Sequence, residues 1–243
     1  MGLTPPAAPA GTAALFDLDG TLVDSEPRSF AAWTRLFDAH GAPWDEELIR
    51  SFIGRRGVDV MADLMHLFPG VSMAQLQAEA LSYVRAADLP PLEPLAGAVE
   101  LLRRVAGHGD PIALVTSGGR GYAEDALAGL GVRDAFTALV TADDVTDGKP
   151  HPQGYLLACE RLGVSPGEAV AFEDAPAGVA AVRAAGIGCV AVTSTHGRAE
   201  LSGADLVVDS LAEIDWPVTL GAGPAAGPVP DNDRSESTWR SAR

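Results

Sequence analysis

Two kinds of apolar spacing alternate along the chain. Segments 13–17 (AALFD), 112–116 (IALVT), 138–141, 169–172 and 189–192 are nearly continuous in apolar residues, and 206–208 is a weaker sixth. Runs this short, bounded by Gly, Pro and acidic residues, fit strands buried on both faces. Between them the apolar residues recur at helical spacing: Val99, Leu102 and Val105 share one face, as do Tyr155, Ala158, Cys159 and Leu162. Val179, Val182 and Arg183 begin a further helix, which Gly186 is placed to cap at its C-terminus. Strand–helix alternation predicts an α/β fold with a parallel sheet covered on both faces. Ligands of such sheets sit at the carboxyl ends of the strands.

Residues 25–91 break this rhythm. Their periodicity predicts helices over 29–39, 44–49, 58–67 and 73–87 and no strand, so the block reads as a second, smaller all-helical domain inserted after the first strand. The Pro90-Pro91 pair and Pro94 mark the return to the core, which then comprises 13–24 and 92–220. Segment 221–243 is rich in Gly, Pro, Ala and Ser without apolar period and reads as a disordered tail; 1–12 reads as a flexible N-terminus.

Composition narrows the function. With 47% hydrophobic residues over 243 positions, the chain can bury a substantial core. No apolar run approaches the roughly 18 residues of a membrane span, and no basic segment precedes an apolar one at the N-terminus. Neither a membrane role nor a secretory signal is expected. Only Cys159 and Cys189 are present, each in apolar surroundings, as expected of buried free thiols in a reducing cytoplasm. The formal net charge of −16 argues against nucleic acid as a partner. It also repels anionic substrates, so a phosphate site must be made positive locally. A monomer is the default expectation.

Four short motifs carry the candidate chemistry. Asp17-Leu18-Asp19-Gly20-Thr21 directly follows the first strand, where two carboxylates two residues apart can face one site. One can act as an ionised nucleophile, and the other can donate a proton if crowding of negative charge raises its pKa. A calcium loop would need Gly and Glu where Leu22 and Arg28 stand. In the second motif, Thr116-Ser117-Gly118-Gly119, two hydroxyls and exposed N–H groups at a strand end can cradle an anion; a simple Gly-rich turn is the alternative. The third, Gly148-Lys149-Pro150-His151-Pro152, holds Lys149 between rigid residues before a helix, as a phosphoryl group requires, although an exposed loop lysine has the same local sequence. The fourth places Glu173-Asp174 at the end of a buried strand before Ala175-Pro176-Ala177-Gly178. These acids can complete an oxygen shell for Mg²⁺ with Asp17, or Asp174 can merely cap the next helix. All four motifs abut strand ends and therefore converge on one rim of the sheet, which separate local turns would seldom do.

The ordered set F-D-L-D-G-T-L-V-D-S (16–25), V-T-S-G (115–118), G-K-P-H-P (148–152) and E-D-A-P-A-G-V (173–179) resembles the haloacid dehalogenase-like superfamily of phosphohydrolases over about residues 13–215. The resemblance implies a Rossmann-like core with a central first strand and a helical cap. It also implies an aspartyl-phosphate on Asp17, with Asp19 as acid/base and metal ligand through its backbone carbonyl. Thr116 and Lys149 are implied to hold phosphoryl oxygens, and Glu173 and Asp174 to complete an Mg²⁺ site with Asp17. Dehalogenases of the family lack the second aspartate, so Asp19 argues for phosphate esters.

The loop Gly54-Arg55-Arg56-Gly57 is positioned like the family's substrate-specificity loop, so Arg55 and Arg56 are expected to read hydroxyls or a second anion, with a solvated turn as the alternative. The A-P-A-G-V form of the fourth motif resembles the sugar- and polyol-phosphatase branch, which implies a small phosphorylated metabolite as substrate. The competing branch is β-phosphoglucomutase-like, but those enzymes usually carry His where this chain has Ser29. A non-catalytic module is disfavoured by the complete set of acids and Lys149. A nucleotide-cofactor oxidoreductase is disfavoured because no G-x-G-x-x-G follows the first strand.

Overall fold

The computed structural model describes residues 13–52 and 55–220; the expectations for 1–12 and 221–243 lie outside the described residues. Six parallel strands form the sheet: β1 (Ala13–Phe16), β4 (Ile112–Val115), β5 (Ala138–Val140), β6 (Ala169–Glu173), β7 (Gly188–Val192) and β8 (Leu206–Val208), in the order β5-β4-β1-β6-β7-β8. β1 is central, paired to β4 on one side and β6 on the other, as the resemblance implied. Side chains alternate across the sheet, so Ala14 and Phe16 enter one core and Ala13 and Leu15 the other.

The first core packs Leu101, Leu102 and Val105 of α5 (Ala98–His108) and Ala123 and Leu127 of α6 (Arg120–Gly129) against the strands. Phe16 stacks on Phe172 across the β1–β6 pair, ring centroids 4.6 Å apart. The second core takes Tyr155, Ala158 and Cys159 from α7 (Gln153–Leu162) and Val179 and Val182 from α8 (Pro176–Ala184). Cys159 and Cys189 are buried free thiols. Full burial of one such aliphatic or aromatic side chain contributes roughly 1.5–3 kcal/mol, so two opposed cores fix the height and tilt of every strand end.

The described residues between 25 and 91 form helices and turns: α1 (Glu26–His40), α2 (Glu46–Arg50), α3 (Gly57–Leu64) and α4 (Met73–Val84). They have their own apolar centre around Leu36, Phe37, Phe52, Met61, Phe68 and Leu76. Most boundaries differ from the sequence reading: α1 begins at Glu26 rather than 29, and α2 spans Glu46–Arg50 rather than 44–49. The 58–67 helix tightens into a 3₁₀ turn at Met65–Leu67, and the 73–87 helix stops at Val84. The second stop has a physical cause in Arg28 of α1. Its guanidinium donates to the carbonyls of Val84, Ala86 and Pro90 at 3.0, 3.1 and 2.7 Å, satisfying the helix end and the returning chain together. A short antiparallel ribbon, β2 (Val23–Asp24) with β3 (Glu93–Pro94), joins the block to the core.

Candidate active site

The carboxyl ends of β1, β4 and β6 bring together the residues that the sequence singled out. Asp17 continues β1, its N–H donating to the Phe172 carbonyl of β6 at 3.0 Å, and Thr116 continues β4, donating to the Val140 carbonyl of β5 at 2.9 Å. Backbone pairing with neighbouring strands therefore fixes both side chains. Lys149 arrives from the loop between β5 and α7. Its ammonium donates to Asp17 Oδ1 at 2.5 Å and lies 2.6 Å from Glu173 Oε1, with the lysine side chain only 8% exposed. Asp17, Glu173 and Asp174 are all buried. One carboxylate oxygen from each of the three lies within 4.8 Å of the others.

Two glycines make this crowding possible. Gly20 has φ +78°, and a Cβ there would collide with the Asp174 carboxylate and with Thr195 Cγ2. A Cβ at Gly178 would collide with the Glu173 carboxyl group. The glycines in the first and fourth motifs thus provide the room that the acids occupy.

The electrostatics follow from three acids sharing one cation. Burial pushes the Asp17 carboxyl well above its ordinary pKa; Lys149 opposes this, while Glu173, Asp174 and Asp19 add to it. Burial, then Glu173, raises Asp174 to about 7, with a Thr195 hydrogen bond and Lys149 in opposition. The surrounding carboxylates push Lys149 above its ordinary value despite its burial. Asp19 is also raised, by burial rather than by neighbouring negative charge. Tyr122, Ser25, Lys149 and Thr116 all act to lower it.

A metal can be judged against this donor set. Three buried carboxylates with one ammonium leave excess negative charge in a poorly solvated spot, and every donor is a hard oxygen. Such a site suits Mg²⁺. The Asp19 side chain is not in that cluster; its Oδ1 accepts from Tyr122 at 2.5 Å.

A cleft beside the acids is lined by Thr116, Ser117, Lys149, His151 and Arg56, among others. Thr116 Oγ1 accepts from the Gly118 N–H at 2.9 Å, closing the turn of the second motif. Arg56, the residue before α3, is held by Asp59 at 2.7 and 2.9 Å and donates to the Thr146 carbonyl at 2.9 Å, bridging the helical block to the Lys149 loop. Arg55 instead pairs with Asp63 at 2.6 Å and does not line the cleft.

Several contacts at the site had no local sequence signal to announce them. Tyr155 donates to Glu173 Oε1 at 2.5 Å, although its sequence signal was only apolar periodicity. Thr195 holds Asp174, and Ser194 donates to the Gly20 carbonyl. Thr21 donates to Asp174 Oδ1 at 3.4 Å. Thr21 lies inside the first motif, but its partner is 153 residues away.

The model of the haloacid dehalogenase-like hydrolases matches residues 12–186. Validoxylamine A 7'-phosphate phosphatase of Streptomyces hygroscopicus subsp. limoneus is 47% identical over 84% of this chain and 96% of its own length. Hexitol phosphatase A of Escherichia coli (strain K12) is 40% identical over 82% of this chain and 91% of its own. Among solved structures, a β-phosphoglucomutase from Clostridium difficile superposes with a TM-score of 0.72 at 27% identity, covering 84% of this chain and 93% of that one. The chain belongs to the haloacid dehalogenase-like hydrolases.

Proposed function

We propose that this haloacid dehalogenase-like hydrolase is a Mg²⁺-dependent phosphatase of a small sugar or polyol phosphate, acting through an aspartyl-phosphate on Asp17. The observation that carries the reading is the single ammonium of Lys149 set between Asp17 and Glu173 at the rim where Thr116 also ends its strand. An anionic nucleophile and an anionic substrate can meet only if positive charge is fixed in advance.

In the reaction, Asp17 attacks phosphorus, the phosphorus–oxygen bond of the ester breaks, and the Asp19 carboxyl group protonates the leaving oxygen. Water then attacks the phosphorus of the aspartyl-phosphate and gives its proton back to Asp19. Phosphate leaves and the Asp17 carboxylate is restored. Thr116, Ser117 and Lys149 hold the transferred group in line, which supplies most of what phosphoryl transfer needs. Proton donation adds roughly 10²–10⁴-fold. Asp17, Glu173, Asp174 and the Asp19 backbone carbonyl would hold Mg²⁺, which when bound neutralises charge on the phosphoryl oxygens.

The substrate class rests on two relatives, a validoxylamine A 7'-phosphate phosphatase and a hexitol phosphatase. Arg56, lining the cleft from the helical side, is the residue best placed to read hydroxyls on the leaving group. In this reading residues 25–91 form a cap over the site and the enzyme works as a cytoplasmic monomer. A phosphosugar mutase is the second reading, favoured by the structural likeness to a β-phosphoglucomutase. Ser29, in place of the histidine usual in that branch, weighs against it.

Phosphate release from a panel of phosphorylated sugars, polyols, glycerol phosphate, phosphoglycolate and nucleotide monophosphates, with Mg²⁺ or with EDTA, tests the proposal. Mg²⁺-dependent release from a few sugar or polyol phosphates supports it. No release, with isomerisation of a hexose 1-phosphate once its bisphosphate is added, moves the assignment to the mutase.

A further inference from the structure

Tyr122 lies in the first turn of α6, outside every motif of the sequence, yet its phenol reaches across to β1. The hydroxyl donates to Asp19 Oδ1 at 2.5 Å. A phenol, with an ordinary pKa near ~10, keeps its proton at neutral pH and is therefore a fixed donor to this carboxylate. The ring has little freedom. It packs against the core cluster of Phe16 and Leu114. It also lies so close to Gly118 that a Cβ there would sit 2.8 Å from its Cδ1. The second-motif glycine thus opens the space for the ring, and the ring sets the position of the hydroxyl.

Asp19 has two oxygens with different tasks under the proposed reaction. One must present a proton to the leaving oxygen; the other must be held, or the carboxyl group rotates about its χ2 bond. Ser25, just before α1, and Thr116 also act to favour the charged form of Asp19. Both are small side chains, and Thr116 Oγ1 already accepts from the Gly118 N–H at 2.9 Å. Tyr122 is the large, packed partner, able to act as a rigid post.

We propose that Tyr122 is a positioning residue for proton transfer: it pins Asp19 Oδ1 so that the other carboxyl oxygen faces the leaving group. This rests on the reading of Asp19 as the acid. The consequence is selective. A leaving alkoxide needs a proton as its bond breaks, whereas p-nitrophenolate or acetate leaves without one.

The test compares Tyr122→Phe with wild type on two substrates. One is the best sugar or polyol phosphate from the panel; the other is p-nitrophenyl phosphate or acetyl phosphate, whichever the wild type turns over. Phe keeps the ring and removes only the donor. The expected result, read in kcat/KM because that ratio reports only the steps through departure of the leaving group, is a value lower by roughly tenfold or more on the alkyl phosphate, with thermal unfolding unchanged and the activated substrate affected less than about twofold; kcat itself can fall on both, since water attack on the shared aspartyl-phosphate also uses Asp19. Asp19→Asn should show the same selectivity more strongly, and adding Tyr122→Phe to it should cost nothing further. Equal loss of kcat/KM on both substrates, or none on either, overturns the role of Tyr122 while a selective Asp19→Asn leaves the acid assignment standing. If Asp19→Asn itself shows no selectivity, the acid assignment fails, and the role of Tyr122 with it.

Discussion

Two aspartates at the same edge of the sheet, Asp144 after β5 and Asp174 after β6, are built from similar parts with opposite results. Asp144 accepts from the Thr141 N–H and hydroxyl at 2.9 and 2.8 Å, and pairs with Arg120 at 2.6 Å and Arg161 at 2.8 Å. Burial alone would raise its pKa, but Arg161, Thr141 and Arg120 outweigh that and lower it to about 2. Asp174 has hydroxyl partners as well, yet its nearest cation is shared with Asp17 and Glu173, and its pKa is raised to about 7. Among these acids, surplus cations mark a structural corner. Surplus carboxylates mark a place that is stable only when more positive charge arrives, as expected at a functional site.

The sharpest way to break this contrast is Asp17→Asn. An amide is a poor nucleophile, so phosphate release should fall by roughly 10⁴-fold or more; an activity within tenfold of wild type would remove the acid cluster from the chemistry. Asp174→Asn should cost roughly 10²–10³-fold in kcat. In EDTA the same change should raise the melting temperature by roughly 2–6 °C, because it relieves repulsion among buried acids. Added Mg²⁺ should stabilise the wild type and not the variant. A melting temperature that falls in EDTA would mean that Asp174 is a structural residue like Asp144.

Asp144→Asn should do the reverse, destabilising by about 2 kcal/mol at neutral pH, the order of its pKa shift. The sign follows from a folded pKa below the unfolded value near ~4. The stabilisation is complete above that value and is lost as pH falls toward 2. Urea melts across this window should show the gap between wild type and variant closing in acid. A gap that is flat with pH would mean that shape rather than charge is lost.

The smallest effects are expected in the helical block. Arg56→Ala should raise KM several-fold or shift the preference among substrates, because Arg56 lines the cleft and bridges to Thr146. Arg55→Ala should change KM by less than about twofold, since its partner is the exposed Asp63 and surface pairs contribute little. Equal effects from the two would show that the loop acts as a unit.

The sequence made the strands and the carboxylate rim legible because both rest on local signals: apolar runs for β1, β4 and β6, and acids or Lys149 punctuating their ends. It also separated residues 25–91, since four helical periods without a strand contrast with their surroundings. The supports were not legible. Tyr122 and Thr195 find Asp19 and Asp174 across 103 and 21 residues, with no spacing rule to connect them. Tyr155 looked purely apolar because burial of its ring sets the helical period while its hydroxyl serves Glu173. Arg28 counted only as a failed calcium-loop position, whereas it ties α1 to the end of α4. The β2–β3 ribbon is two residues per strand, too short for any period.

The most direct test of the central claim is to quench the enzyme in acid during turnover of its best substrate with Mg²⁺ and locate any phosphorylated residue by peptide mass spectrometry. The account predicts one added phosphoryl group on the peptide containing Asp17, absent from Asp17→Asn. Turnover with no adduct there, or with the phosphoryl group on another residue, would contradict it.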